Sequence, residues 1–430
     1  MRKSIIILVG IITVLLLLVA CNNNPVSDTQ NTSGTFILTG DITENTTWYA
    51  ENAYILAGQT FVKPGVTLTI EAGTTIRANA DDGNGLAPAL TIERGAMIIA
   101  DGRIDAPITF TSNLPDSELP QRGTWGGLIL LGNAPINIDG GESFVEGLIG
   151  VPYGGEDEND NSGILRYVRV WYGGRSIGQD NEINGISLAG VGRGTTIEHC
   201  EVAWTLDDGF EMFGGTVDLK YCTVLFEGDD AFDTDLGYRG RGQFLFAMLG
   251  NDDGNRGFEM DNKANGDMNA QPRSHPQFHN VTLIGSGANS PADNDQMIRL
   301  REGTGGEFRN LLIVDGKEYG INITDAATLA LLGTELNFSA NNIVYNCTMG
   351  QFKSDYGLAA QNVDPLLRSI AGRESGGLID PRPSPGNPAL TGGETLPADG
   401  FFTQTEFVGA FGDELWIAGW SWLAEMGRLP

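Results

Sequence analysis

The sequence predicts an all-β chain wound into a parallel β-helix, a solenoid finished by a C-terminal capping segment. Three observations carry this expectation: an apolar pattern that recurs along the chain, short Val/Ile/Thr-rich runs punctuated by glycine and proline, and no helical periodicity between them. The pattern is an apolar residue, two others, an apolar residue, one other, and an apolar residue. It occurs at Leu165/Val168/Val170, Ile197/Cys200/Val202, Leu219/Cys222/Val224, Phe278/Val281/Leu283, Phe308/Leu311/Ile313 and Ala340/Ile343/Tyr345, with steps of 32, 22, 59, 30 and 32 residues. The step of 59 is about two ordinary ones.

A strand alternates with period two, so the three-residue gap marks a corner that keeps both flanking apolar residues inside. Asparagine often stands there, in "FHNVTLIG", "FRNLLIVDG" and "ANNIVYN", and it tolerates a left-handed backbone. A second short strand follows the best-formed copies, as "GFEMF", "AFDTD" and later "YGINI". Two or three short strands per repeat, bent at tight turns, describe one coil of a β-helix. A closed antiparallel barrel would want hairpin turns such as Asn-Gly or Asp-Gly, which do not dominate. Upstream, "YILAGQTFVKPGVTLTIEAGTTIRA" and "ALTIERGAMIIADGRIDAPITFTS" fit the same plan, and "WGGLILLGNAPI" resumes it after a loop.

At the N-terminus, Arg2 and Lys3 precede an apolar run from Ile5 to Ala20, too short and wrongly flanked for a spanning helix. Residues 1–20 read as an export signal. The run ends in "LLVAC", which resembles the lipobox of bacterial lipoproteins. That resemblance implies cleavage before Cys21, lipidation of its thiol, and a body anchored to a membrane; Asn22 in the next position favours the outer membrane or cell surface. Residues 21–35 are polar and suit a tether. Residues 36–374 are assigned to the β-helix, and 375–430 to a Pro/Gly-rich exit and a cap containing Trp416, Trp420 and Trp422. The chain carries 55 acidic against 26 basic residues, a formal charge of -29 that repels nucleic acid and points to divalent cations or neutral and basic partners.

The strings "LTIEAGTTI", "ALTIERGAMIIADG", "APITFTS", "GTWGGLILLGNAPI", "GVGRGTTIEHCEV", "DDGFEMFGGTV" and "FDTDLGYRGRGQF" together resemble a group of exported bacterial proteins with a right-handed, pectin-lyase-like β-helix. The resemblance covers most of residues 36–350 and implies the hand of the solenoid, while most members lack an established activity. "PRPSPGNPALTGG" and "FVGAFG" resemble the closing segment of exported β-helix proteins, which leaves the last coil and packs over it. The tryptophans then belong to that cap or, alternatively, stack on sugars.

Cys200 and Cys222 occupy the same place in consecutive coils, about 4.8 Å apart. That spacing suits a disulfide or two buried thiols. His199, His275 and His279 sit in no recognisable catalytic setting, and surface placement accounts for them.

The acids are the candidate chemistry. "TLDDGFEMFGG" is answered 22 residues later by "EGDDAFDTDLG". Asp207, Asp208, Asp229 and Asp230 enter apolar strands, where aspartate commonly caps turns. Glu211, Asp233 and Glu259 are expected to form an outward ladder, with Asp235 and Asp261 in a second column. Like charges one rung apart repel by about 1 kcal/mol in water, so a compensating ion is expected. Calcium (Ca²⁺) accepts several carboxylate and carbonyl oxygens in flexible geometry, and the loops "GGEDENDNSG" and "GQDNEING" add acids. Arginine is the other candidate: Arg299 and Arg301 point outward on a later strand, and Arg239, Arg241 and Arg256 lie in neighbouring loops. A carboxylate ladder beside an arginine resembles the arrangement in pectate lyases, although the Gly-His-Gly of polygalacturonase-type hydrolases is absent and Arg299 counts as a full coil or more away. The sequence therefore supports a calcium-binding adhesion or glycan-binding surface protein, whose partner is a polysaccharide or another surface protein. The alternative is a polysaccharide lyase or glycoside hydrolase using Glu211, Asp233, Glu259 and Arg299.

Overall fold

The computed structural model describes residues 33–430 apart from 84, 146, 147, 149, 176–182, 264, 265 and 293. The export signal, Cys21 and most of the tether lie outside the described residues, as does most of "GQDNEING". Among the described residues no helix is long and apolar enough to cross a membrane.

Among the described residues, twenty-four strands join in one continuous, parallel-paired stack, the solenoid expected from the repeat. One column holds the long strands Gly163–Trp171, Thr196–Ala203, Asp218–Leu225, Arg241–Met248, Gln277–Ile284 and Gly306–Val314, each parallel to the next. A second column holds the short strands Ile186–Ala189, Phe210–Phe213, Asp230–Asp235, Arg256–Met260, Gln296–Leu300 and Tyr319–Ile323. The copy spanned by the long sequence step is Gly242/Leu245/Ala247, paired to Leu219/Cys222/Val224 below and Phe278/Val281/Leu283 above. Two small residues there blank the apolar signal. The last copy is misread in the sequence: Phe338, not Ala340, pairs with Phe308, and Val344, not Tyr345, pairs with Ile313. Ala340 is exposed.

The repeat fills the interior. Val168, Cys200, Cys222, Leu245, Val281 and Leu311 stack fully buried in one column, and Phe210, Phe232, Phe258 and Ile298 in the other; each large apolar side chain so buried stabilises by about 1.5–3 kcal/mol. Cys200 and Cys222 are free thiols, so the disulfide weighed from the sequence is not formed. Burial pushes the Cys200 thiol up to about 12.

The three-residue gap is the corner expected. Tyr167, His199, Tyr221, Phe244, Asn280 and Asn310 all hold φ between 48° and 58° there. For asparagine that backbone is cheap; for the bulky residues it costs about 1–2 kcal/mol each. Stacking offsets the cost: ring centroids lie 4.5 Å apart for Tyr167–His199, 4.5 Å for His199–Tyr221 and 4.6 Å for Tyr221–Phe244, contacts worth about 0.5–1.5 kcal/mol per pair beyond burial. His199 and His279 are therefore not surface residues as the sequence reading had them. His279 is fully buried against Phe402 at 4.4 Å, and burial lowers both imidazoles to about 4, leaving them neutral.

The C-terminal segment was expected over the last coil and instead runs back along the flank. Glu394 N–H donates to Asn310 Oδ1 (2.9 Å), Thr403 N–H to Gln243 Oε1 (2.8 Å), and Trp422 N–H to Glu201 Oε1 (2.6 Å), so the chain descends from late coils to early ones. Trp416 and Trp420 meet Tyr221 and Tyr167 edge-on, and with Trp422 they are at most 8 % exposed, which removes the sugar-stacking alternative. Tyr356, Leu358 and Ala360 pack against the end of the main core.

Candidate acidic site on the short-strand face

The short-strand column sets a register that the sequence only half showed. Six successive coils place Asn184, Asp208, Asp230, Arg256, Gln296 and Tyr319 in one file, and Ser187, Glu211, Asp233, Glu259, Arg299 and Asn322 in another. The expected Glu211–Asp233–Glu259 ladder is present, outward of buried Phe210, Phe232 and Phe258. Alternation along each strand dictates this: apolar residues face the core and acids face out. Gly209 permits close packing of the coils, since a Cβ there would lie 2.6 Å from Ala231 O.

Arg299 lies a full coil beyond Glu259, as counted, and its side chain reaches back across that coil. It stands on the rung directly after Glu259, with Nη1 3.2 Å from Glu259 Oε1. Arg301 forks onto Asp261 through Nε at 2.7 and 2.6 Å and reaches Glu259 at 3.1 Å. Arg256 opens a strand rather than lying in a loop, is 7 % exposed, and bridges Asp230 at 3.3 Å and Glu259 at 3.2 Å. Arg239 and Arg241 serve elsewhere, on Glu158 and on Asp218 and Asp399.

On the rungs below, the acids converge on one another. Ligand oxygens of Asp208, Glu211 and Asp233 lie within 4.8 Å of one another, and so do those of Asp207, Asp208 and Asp229. The division of these acids into turn caps and outward residues therefore does not survive: Asp208 belongs to both groups. It also caps, but across coils, its Oδ1 accepting from Asp230 N–H at 3.0 Å. Asn184, which sequence reasoning missed, repeats the device one coil earlier; its Oδ1 accepts from Asp208 N–H at 3.2 Å and its Nδ2 donates to Glu211. Asp233 Oδ1 and Asp230 Oδ1 are enclosed without hydrogen-bond partners, Asp230 being 2 % exposed.

Electrostatics follow the geometry. Burial, then the carboxylates of Asp207, Asp233, Glu211 and Asp230, hold Asp208 well above the usual carboxylate range. Burial followed by Glu211, Asp261 and Glu259 does the same to Asp233, and burial followed by Glu259 and Asp229, opposed by Arg256, to Asp230. In the second column Asp235 is raised to about 8 by burial and Asp261, whereas Asp261, equally placed but bonded to Arg301, is raised only to about 6. Such a cluster must take up protons or a cation.

The described residues fit Ca²⁺: hard oxygen donors only, arranged on two rungs, with Asp230 Oδ1 and Asp233 Oδ1 enclosed and without a hydrogen-bond partner among the described residues. No curated protein matches the chain. Among solved structures it is similar to the crystal structure of pectate lyase Pel9A, at 14 % identity and a TM-score of 0.40, over 82 % of this chain and 89 % of that one. A family match spans residues 40–373, which takes in the whole acidic face. The chain is a right-handed, pectin-lyase-like parallel β-helix protein and belongs to the pectate-lyase like beta helix domain family.

Proposed function

We propose that this chain is an exported, lipid-anchored β-helix that binds Ca²⁺ on its short-strand face and uses that face to hold a glycan. The carrying observation is the convergence of the carboxylates of Asp208, Glu211 and Asp233, whose oxygens lie within 4.8 Å of one another. Oxygens on opposite sides of one calcium ion stand about 4.8 Å apart at metal–oxygen distances of about 2.4 Å, so the three can share an ion. When bound, calcium supplies positive charge that sugar hydroxyls or carboxylates can coordinate. Asn184 orients Glu211, and Arg299 and Arg301, 27 % and 28 % exposed in their side chains, flank the face with further donors. Adhesion suits an extended, repeated surface.

The test is a glycan array probed with the full-length chain in Ca²⁺ and again in a chelator. Calcium-dependent retention supports the reading, and equal signals in both overturn it. The anchor rests on Cys21: Cys21→Ala should release the protein from membranes, and unchanged membrane fractionation would refute the lipid. A second reading, polysaccharide lyase, is favoured by Arg299 standing one rung beyond Glu259 and two beyond Asp233. Its guanidinium is bound to Glu259 on the same face, however, which favours binding over proton abstraction. A rise in ultraviolet absorbance from an unsaturated sugar product would reverse that preference.

A further inference from the structure

We infer that the N-terminal end of the solenoid is an interaction surface whose partner is a second copy of this chain, joined strand to strand. The first strand, Thr35–Ile42, runs parallel to Ala53–Val62, its one strand partner among the described residues. Ala53 N–H donates to Gly34 O (2.9 Å) and Lys63 N–H to Ile42 O (3.0 Å), so the even-numbered residues turn their backbone groups toward that partner. The register irregularity after Leu38 places its extra residues in the partner strand, and the first strand keeps its alternation throughout. The N–H and C=O of Thr35, Ile37 and Thr39 therefore point to the open edge. The strand carries no lysine or proline, the residues that commonly blunt such an edge, and its one charge is Asp41.

Side chains leave the same end unfinished. Phe36, Leu38 and Ile42 pack on the core but are only half-buried, and Ile37, on the outer side, is 60 % exposed. Water satisfies the open polar groups and not the apolar row; lipid satisfies the apolar row and not the polar groups. Residues 22–32, "NNNPVSDTQNT", offer Val26 as their one aliphatic side chain, directly after Pro25, and make a poor added strand. A second Thr35–Ile42 strand meets both needs. Paired antiparallel about Ile37, Thr35 faces Thr39, Phe36 faces Leu38 and Asp41 faces Ser33, so no like charges meet. The far end of the solenoid does not compete for this edge: Ile343 bridges Gln361, Val344 N–H donates to Gln361 O at 3.0 Å, and Tyr356, Leu358 and Ala360 cover the core there. The contact is thus isologous and stops at two chains instead of growing into a fibre.

The experiment is cysteine trapping of the full-length chain in its own membranes, with sedimentation in detergent beside it. Directly opposed residues of an antiparallel pair lie about 5.5 Å apart, within disulfide reach. Under a mild oxidant Ile37→Cys should run as a dimer on a non-reducing gel, while wild type and Met349→Cys, 58 % exposed near the far end, stay monomeric. Wild type should sediment as two chains and Ile37→Pro, which removes a donor on the open edge, as one. Ile37→Lys keeps the backbone and sets two ammonium groups on the two-fold axis; it should also sediment as one chain, with circular dichroism checking that both variants fold. A single chain in wild type, two chains in Ile37→Lys, or equal trapping of Met349→Cys would overturn the inference. So would Ile37→Cys that is shielded from a membrane-impermeant maleimide yet forms no dimer, because lipid or the chain's own N-terminal residues then cover the edge.

Discussion

Two halves of the same face make an instructive contrast. At the rungs of Glu211 and Asp233 the file reads Asp-Asp before the strand and an acid within it; one coil on, at Glu259, the same apolar frame carries Asn255 and Arg256 in place of the aspartate pair. Arg299 follows on the next rung. The upper half is a closed ion network, Arg256–Glu259–Arg299 with Arg301–Asp261, and the lower half is a convergence of carboxylates, Asp207, Asp208 and Asp229 on one side and Asp208, Glu211 and Asp233 on the other. One backbone scaffold therefore carries an arginine–carboxylate network on some rungs and converging carboxylates on others. Asp235 and Asp261 show the difference within a single column, at about 8 and about 6.

The largest expected effect is on pH dependence without metal. Burial raises Asp235 and Glu227 to about 8 and Glu201 to about 7, against unfolded values near 4. The folded chain then binds more protons than the unfolded one between those limits. Its stability is full below about pH 4 and falls by about 1.4 kcal/mol per pH unit per proton as pH rises through about 7 to 8. Melting temperature in chelator should fall across that window, and a flat or rising profile would contradict the raised proton affinity of these buried acids.

Next in size is the conversion of the upper half into a copy of the lower. Arg256→Met leaves Asp230, 2 % exposed, without its arginine while Glu259 keeps Arg299 and Arg301, and should cost about 3–5 kcal/mol by urea unfolding. Arg301→Met removes the fork from Asp261 and should cost about 2 kcal/mol; an unchanged unfolding midpoint would mean that the network adds nothing. The smallest effect has the opposite sign. Asp233→Asn relieves like-charge repulsion and should stabilise the metal-free chain by about 1 kcal/mol, while abolishing any rise in melting temperature on adding Ca²⁺.

How much of this was legible in the sequence varies by residue. Apolar spacing was enough for the solenoid and the outward ladder, because a period-two strand leaves no choice of face for Glu211 once Phe210 and Met212 are buried. The hidden copy at Gly242 and Ala247 failed to register because small residues fill a coil without an apolar signature. Arg256 was readable in principle: "NRGFEM" aligns on "DDGFEM", the register that places Glu259 in the ladder, but the swap of Asp-Asp for Asn-Arg made Arg256 read as part of the loop before the strand. Asn184 gave no signal, since its role arises only from the height of one coil above another. The C-terminal flank packing was likewise invisible, because it depends on an aromatic corner ladder assembled from four successive coils.

The central claim is that the lower half of the face is a cation site, and the most direct measurement is the melting temperature of the full-length chain as Ca²⁺ is titrated at neutral pH, beside Asp208→Asn. A ligand at a hundred times its dissociation constant stabilises by about 2.7 kcal/mol, so wild type should show a saturable upward shift of several degrees that the variant lacks. No shift in wild type, or the same shift in both, would contradict the account.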